Sequence, residues 1–223
     1  MAQRIIVFGS PDRCGKTEIS TALARKLGIK YFKASSEHET YLNGQKAFLD
    51  QLRHADTRMV DFLRQTGYSV VFDRAWCCEF SYAKVFKRET DMKILRYVDA
   101  EFAKMGAKVI IPVRSSYKGI IDDIDPTTKE ERLLKLDAAY RDFAEWTHCR
   151  TLILNVDDED LTRELNDILT WMGKKTITQC DPTKALRWTV CDACGGDGYR
   201  TYPSDCSECS GTGCVAVEEE ELP

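Results

Sequence analysis

Three groups of residues in this chain could do chemistry. The first is Gly9-Ser-Pro-Asp-Arg-Cys-Gly-Lys-Thr17, which fits the phosphate-loop pattern G-x-x-x-x-G-K-[ST] at Gly15, Lys16 and Thr17. Backbone N–H groups of such a loop, with the N-terminus of the helix that follows, form a nest for an anion. Lys16 would bridge the outer phosphates of a nucleoside triphosphate, and the Thr17 hydroxyl would hold Mg²⁺. Ser10 stands where the first glycine belongs, which matters only if that position needs a positive φ, and Gly9 beside it can absorb the turn.

The second group is Asp73-Arg74, directly after the apolar run Ser69–Phe72. The carboxyl end of a strand is where open α/β sheets bind ligands. There Asp73 would partner Mg²⁺ and Arg74 would grip a phosphate with its planar, two-pronged guanidinium. A surface ion pair closing a strand is the plainer alternative.

The third group is Cys191, Cys194, Cys206 and Cys209, two C-x-x-C-x-G-x-G knuckles eleven residues apart. Paired thiolates at this spacing chelate one ion, and four of them at tetrahedral geometry favour a structural Zn²⁺ with no open position for substrate. Metal binding would supply the folding energy of so short a segment. Cys214 is a spare. With an apolar strand read from Ile5, no signal peptide is expected, and in that case clustered C-x-x-C pairs favour metal over disulfides. The expected compartment is the cytoplasm.

These groups need elements to position them. Arg4–Phe8, Tyr31–Ala34, Ser69–Phe72, Lys108–Val113 and Thr151–Val156 read as strands, the first and third as short apolar runs buried on both faces. Between and after them, helical spacing covers Lys16–Leu27, Thr40–Gln65 with one break near Arg53–Thr57, Glu79–Phe86, Asp91–Met105, Lys129–Trp146 and Asp157–Met172. Alternation of this kind predicts βαβ units, right-handed crossovers and a five-stranded parallel sheet with helices on both faces. The expected organisation is an α/β domain over 1–173, a linker over 174–189, a zinc-binding hairpin module over 190–217 and an acidic tail over 218–223.

The chain has 223 residues, with 32 basic against 36 acidic side chains and a formal charge of −4. Residues 184–223 hold three basic and eight acidic groups, so the acidity is concentrated in the tail. A near-neutral body and an acidic end weigh against a nucleic-acid clamp. A protein-contact or homodimerisation role suits the cysteine module better. No apolar run approaches the roughly 20 residues that cross a bilayer.

Several of these residues carry a resemblance. Asp12-Arg13 in the loop, Asp73-Arg74 after the third strand and Tyr82 nine residues after Asp73 resemble thymidylate kinases and their deoxynucleoside monophosphate kinase relatives, including those of large-genome bacteriophages. The likeness spans about residues 1–172. It implies a P-loop kinase that uses ATP and Mg²⁺ to phosphorylate dTMP or a modified pyrimidine deoxynucleotide, in the host cytoplasm if a phage encodes it. It also implies that Asp12 accepts from the sugar 3′-hydroxyl and that Arg13 crosses between the phosphate groups. A further arginine, on the helix before the third strand, would contact the acceptor phosphate; Arg53 and Arg58 are the candidates, about 500° of helix rotation apart. Ala75 and Cys78 depart from the family's aromatic or histidine and its serine, which alters the pocket around the acceptor base. Residues 191–213 resemble one zinc unit of the cysteine-rich domain of DnaJ-type chaperones.

The segment Ser115–Thr128 reads as a loop over the donor phosphates, offering Arg114, Lys118 and Lys129 as cations among Asp122, Asp123 and Asp125. Trp76 is read as lining the acceptor pocket, with core as the alternative, and Cys14 as a small buried filler. Two rival readings share these motifs: a kinase acting on a hydroxymethylated pyrimidine in DNA, and a nucleotide-gated protein-interaction module.

Overall fold

Alternate side chains of a strand point to opposite sides, and the apolar residues here use both. In the computed structural model, Ile5, Val7, Val70, Phe72, Val109 and Ile111 enter one core, and Ile6, Phe8, Val71, Ile110 and Leu154 the other. The description covers residues 3–33, 55–119 and 130–177 in full; residues 45–54 and four short strands near the C-terminus are described as backbone. Strands β1 (Ile5–Phe8), β2 (Lys30–Lys33), β3 (Val70–Asp73), β4 (Lys108–Val113) and β5 (Arg150–Asn155) form one sheet, ordered β2-β3-β1-β4-β5. Every pairing in it is parallel.

This order fixes which helix lies where. The step from β1 to β2 crosses the sheet in one direction, and every later step runs back in the other. Right-handed crossovers then put the first helix on the opposite face from the next ones. Helices α1 (Lys16–Leu27) and α6 (Leu161–Trp171) cover the Ile6–Phe8 face through Ile19, Leu23, Leu165, Ile168 and Leu169. Helices α2 (Gln45–Thr66), α3 (Trp76–Phe86), α4 (Met92–Lys104) and α5 (Glu130–Trp146) cover the Ile5–Val7 face, with Val60, Leu63, Trp76, Val98, Phe102, Tyr140 and Phe143 as anchors. The reversal of direction at β1 opens a crevice at the carboxyl ends of β1, β3 and β4.

Four local expectations change. Helix α2 runs unbroken from Gln45 to Thr66, because Arg53–Thr57 contains neither glycine nor proline and polarity alone does not interrupt a helix. Helix α3 begins at Trp76 rather than Glu79. Helix α6 begins at Leu161, where Asp160 caps it by accepting from the Arg163 N–H at 3.0 Å. Trp76 belongs to the core, not the pocket: it is fully buried, stacks on Phe102 at 4.3 Å and donates its indole N–H to Asp99 at 3.1 Å. A buried indole needs such an acceptor, and Asp99 supplies it.

Near the C-terminus, β6 (Arg187–Val190) pairs antiparallel with β9 (Cys214–Val217), and β7 (Tyr199–Thr201) with β8 (Ser204–Asp205). Strand β6 starts inside the stretch read as a linker. Cys191, Cys194, Cys206 and Cys209 lie outside the described residues, as does the tail over 218–223. Among the described residues, no helix is long and apolar enough to cross a membrane.

Candidate active site

The phosphate loop leaves β1 and is held by its neighbours. The Gly9 N–H donates to the Ile110 carbonyl at 3.1 Å. A Cβ at Gly9 would lie 2.5 Å from the Cys77 sulfur and 3.0 Å from the Tyr140 ring. Glycine is therefore needed there for close approach rather than for the turn. The left-handed positions of the loop are Arg13 (φ 68°) and Gly15 (φ 62°) instead. Ser10 needs no positive φ; it is fully buried and its hydroxyl donates to the Pro11 carbonyl at 2.9 Å. We expect Gly9→Ala to cost about 2–3 kcal/mol through overpacking, read as a lower urea midpoint with unchanged slope.

Helix α1 begins at Lys16, and no side chain caps it. Its first-turn N–H groups are thus left for an anion. Lys16 is buried, with Nζ 3.9 Å from Asp73 Oδ1. Burial lowers the pKa of its ammonium and Arg74 adds to this, while Asp73 and Asp12 oppose them. The Thr17 hydroxyl donates to Asp73 Oδ2 at 2.6 Å, and the Tyr31 hydroxyl to the same oxygen at 3.1 Å. Asp73 is fully buried, and its Oδ1 accepts no hydrogen bond. A hydroxyl and an incompletely satisfied buried carboxylate are hard oxygen donors, a set that fits Mg²⁺ beside substrate phosphates.

A second cluster forms around Arg74, the residue after Asp73. Arg74 leaves β3 in a left-handed conformation (φ 77°), and its N–H donates to the Phe8 carbonyl at 3.0 Å. Its guanidinium donates to Asp12 of the phosphate loop and to the Tyr82 hydroxyl at 3.4 Å. Tyr82, on α3, donates to the other Asp12 oxygen at 3.1 Å. Burial works to raise the Asp12 carboxyl, but Arg74, Lys16 and Tyr82 outweigh it and hold the group below its usual value. Cys78 lies half-buried beside this triangle. A hydrogen bond from the Cys77 thiol, 4.0 Å away, lowers its pKa against the effect of burial, and the Arg74 charge helps.

Not every expected residue arrives here. Arg58 is exposed. It sits about 200° round α2 from Val60, which is buried in the core. Arg53 stands seven residues before Val60, two turns along the same face. Arg114 is not a lid cation. Its Nε donates to the Arg13 carbonyl at 2.8 Å, and its other end pairs with Glu159 at 2.6 Å. The first part of the expected loop is also anchored, since Tyr117 is 1% exposed and donates to Asp137 at 3.0 Å. Lys118 is exposed, and Lys129, Asp122, Asp123 and Asp125 lie outside the described residues. Cys14 is buried as a filler against Tyr117.

Asp56 is a residue the sequence reading missed. It shares the inner face of α2 with Met59, Val60 and Leu63, which pack on the core. Burial, then Cys78 and Glu79, pushes its carboxyl up to about 7. A lone acid in register with an apolar stripe was the available signal. An unfolded aspartate titrates near 3.9, so folding is penalised progressively as pH rises from about 4 through 7. Asp56→Asn should therefore raise the melting temperature more at pH 8 than at pH 5. Equal gains at both pH values would contradict this.

Three solved structures share the architecture. YorR from Bacillus subtilis, in complex with phosphorylated GDP, is 19% identical with a TM-score of 0.55, over 76% of this chain and 95% of that one. Deoxyadenosine kinase from M. mycoides with bound dATP is 18% identical with a TM-score of 0.54, over 77% and 100%. Thymidylate kinase from Ehrlichia chaffeensis is 15% identical with a TM-score of 0.51, over 76% and 99%. No protein-family model and no curated sequence matches the chain. The body of the protein has the fold of the P-loop nucleoside and nucleotide kinases.

Proposed function

We propose that the protein is a Mg²⁺-dependent kinase that moves the γ-phosphoryl of ATP to a deoxynucleoside monophosphate. The observation that carries this reading is that two bonded clusters form where the adjacent strands β1 and β3 end. Lys16, Thr17 and Asp73 meet on the donor side, and Asp12, Arg74 and Tyr82 on the acceptor side. Transfer brings two polyanions together, so the site must supply fixed positive charge where charge develops.

On this reading Gly15, Lys16 and Thr17 hold the ATP phosphates, with Lys16 at the β- and γ-phosphates. Thr17 and Asp73 would hold Mg²⁺, which when bound would supply positive charge to the donor oxygens. Arg74 exchanges its contact with Asp12 for the acceptor phosphate, and Asp12, so released, accepts from the sugar hydroxyl. Arg13 spans the two phosphate groups as an acceptor oxygen attacks the γ-phosphorus and the β,γ-bridging oxygen leaves. Arg53, from the inner face of α2, is the second acceptor-phosphate arginine. Ala75 and Cys78 shape the base pocket, for thymine or a modified pyrimidine.

The test is ATP turnover with a panel of deoxynucleoside monophosphates and, separately, short DNA across a salt series. Turnover that requires a free monophosphate supports the reading. Turnover only with DNA, weakening steeply as salt rises, would replace it, and no acceptor-dependent turnover would reject it.

We also propose Zn²⁺ on Cys191, Cys194, Cys206 and Cys209. The chain between β6 and β7 carries the first pair, and the chain between β8 and β9 the second. Both stretches start and end at paired positions, Val190 with Cys214 and Tyr199 with Asp205. The pure protein should contain about one zinc per chain, and Cys194→Ser with Cys209→Ser should lose it, as metal analysis will show.

A further inference from the structure

The connection that leaves β4 begins on top of the phosphate loop. Arg114, the residue directly after the strand, spans two backbone segments. Its Nε donates to the Arg13 carbonyl at 2.8 Å, and its Nη2 pairs with Glu159 at 2.6 Å. The Arg114 side chain is 11% exposed and that of Glu159 is 71% exposed, so the brace is buried at the loop and wet at its far end.

Both residues it joins are strained. Arg13 (φ 68°) and Glu159 (φ 53°) are two of the four non-glycine residues in the left-handed region among the described residues. Such a conformation costs on the order of 1 kcal/mol or more and persists only where the surroundings hold it. In a trans peptide the carbonyl and the following N–H point in opposite directions. A carbonyl of Arg13 turned to Arg114 therefore turns the Cys14 N–H the other way, and no backbone acceptor among the described residues claims that N–H. A second tie holds the same residue, since the Cys14 sulfur lies 3.3 Å from the Tyr117 hydroxyl, which is bound to Asp137.

We propose that Arg114 is a positioning residue. By bridging Arg13 and Glu159 it fixes the left-handed turn from which the Arg13 side chain departs, and it aims the Cys14 N–H at the anion site. Its consequence for catalysis rests on the kinase reading above; its consequence for the loop does not.

Two measurements test it on the full-length protein. Hydrogen–deuterium exchange of the phosphate-loop peptide in the nucleotide-free protein reads the brace directly. Arg114→Met should speed that exchange about tenfold, the loss of one charge-assisted hydrogen bond. Steady-state kinetics read the consequence: kcat should fall about 100-fold, as for a misplaced reacting group, with the ATP KM within about threefold. Arg114→Lys should not rescue, because it lacks the fork that reaches both partners. In an Arg13→Gly background, where glycine adopts the turn unaided, Arg114→Met should lower kcat less than about threefold further.

Glu159→Ala releases the exposed end and covers the case in which Arg114→Met does not fold; it should speed exchange and slow turnover by about three- to fivefold. Unchanged exchange in Glu159→Ala and in whichever Arg114 variant folds would overturn the proposal, as would full multiplication of the losses in the Arg13→Gly background. A wild-type protein without kinase turnover would defeat the kinase reading, while the exchange result would still decide the brace.

Discussion

Lys16→Met should turn over at least about a thousandfold more slowly than the parent, because the removed charge acts on oxygens that become more negative during transfer. Methionine keeps the length and apolar stem of the side chain, so the change removes the ammonium and little else. The ammonium is ion-paired with the Asp73 oxygen that accepts no hydrogen bond, at 3.9 Å. Asp73 keeps its bonds from Thr17 and Tyr31, so the variant should fold with a loss of about 1–3 kcal/mol. Single-turnover kinetics alongside a denaturation curve will separate the two effects. A variant retaining a tenth of the parental rate would remove Lys16 from the chemistry.

Arg74→Ala should raise the acceptor KM about 100-fold and leave the ATP KM within about threefold, the expectation for a charge-assisted grip on one phosphate only. The companion variant is Arg74→Gly. Position 74 sits at φ 77°, a conformation that alanine adopts under strain and glycine does not. Arg74→Gly should therefore be about 1 kcal/mol more stable than Arg74→Ala and equally defective. Urea midpoints and steady-state kinetics on the pair check both statements. Equal changes in the two KM values would contradict the acceptor role, whatever the stability.

The backbone conformations at the site bear on how it works. Of the four left-handed non-glycine residues among the described residues, two, Arg13 and Arg74, are among the arginines proposed to contact the phosphates. Backbone strain tends to gather where side chains must be presented in one direction. Here each strained residue is held by a specific bond, Arg13 through Arg114 and Arg74 through the Phe8 carbonyl. Relaxing either bond should affect rate before it affects folding.

The amino-acid sequence by itself determined the features that contiguous residues encode. The phosphate loop, the Asp73-Arg74 pair at a strand end and the apolar alternation that makes two cores are local patterns. Each depends on one stretch of chain and its hydrogen-bonding geometry. The tertiary structure alone decided which distant side chains meet. Asp12 reaches Arg74 across 62 positions and Tyr82 across 70, a meeting set by β3 lying beside β1 in the sheet order. The same packing exposed Arg58, buried Trp76 against Phe102 and turned Arg114 from a lid cation into a brace. Such outcomes depend on how whole elements stack, because a side chain's partner is chosen by the neighbouring strand or helix rather than by its own place in the chain.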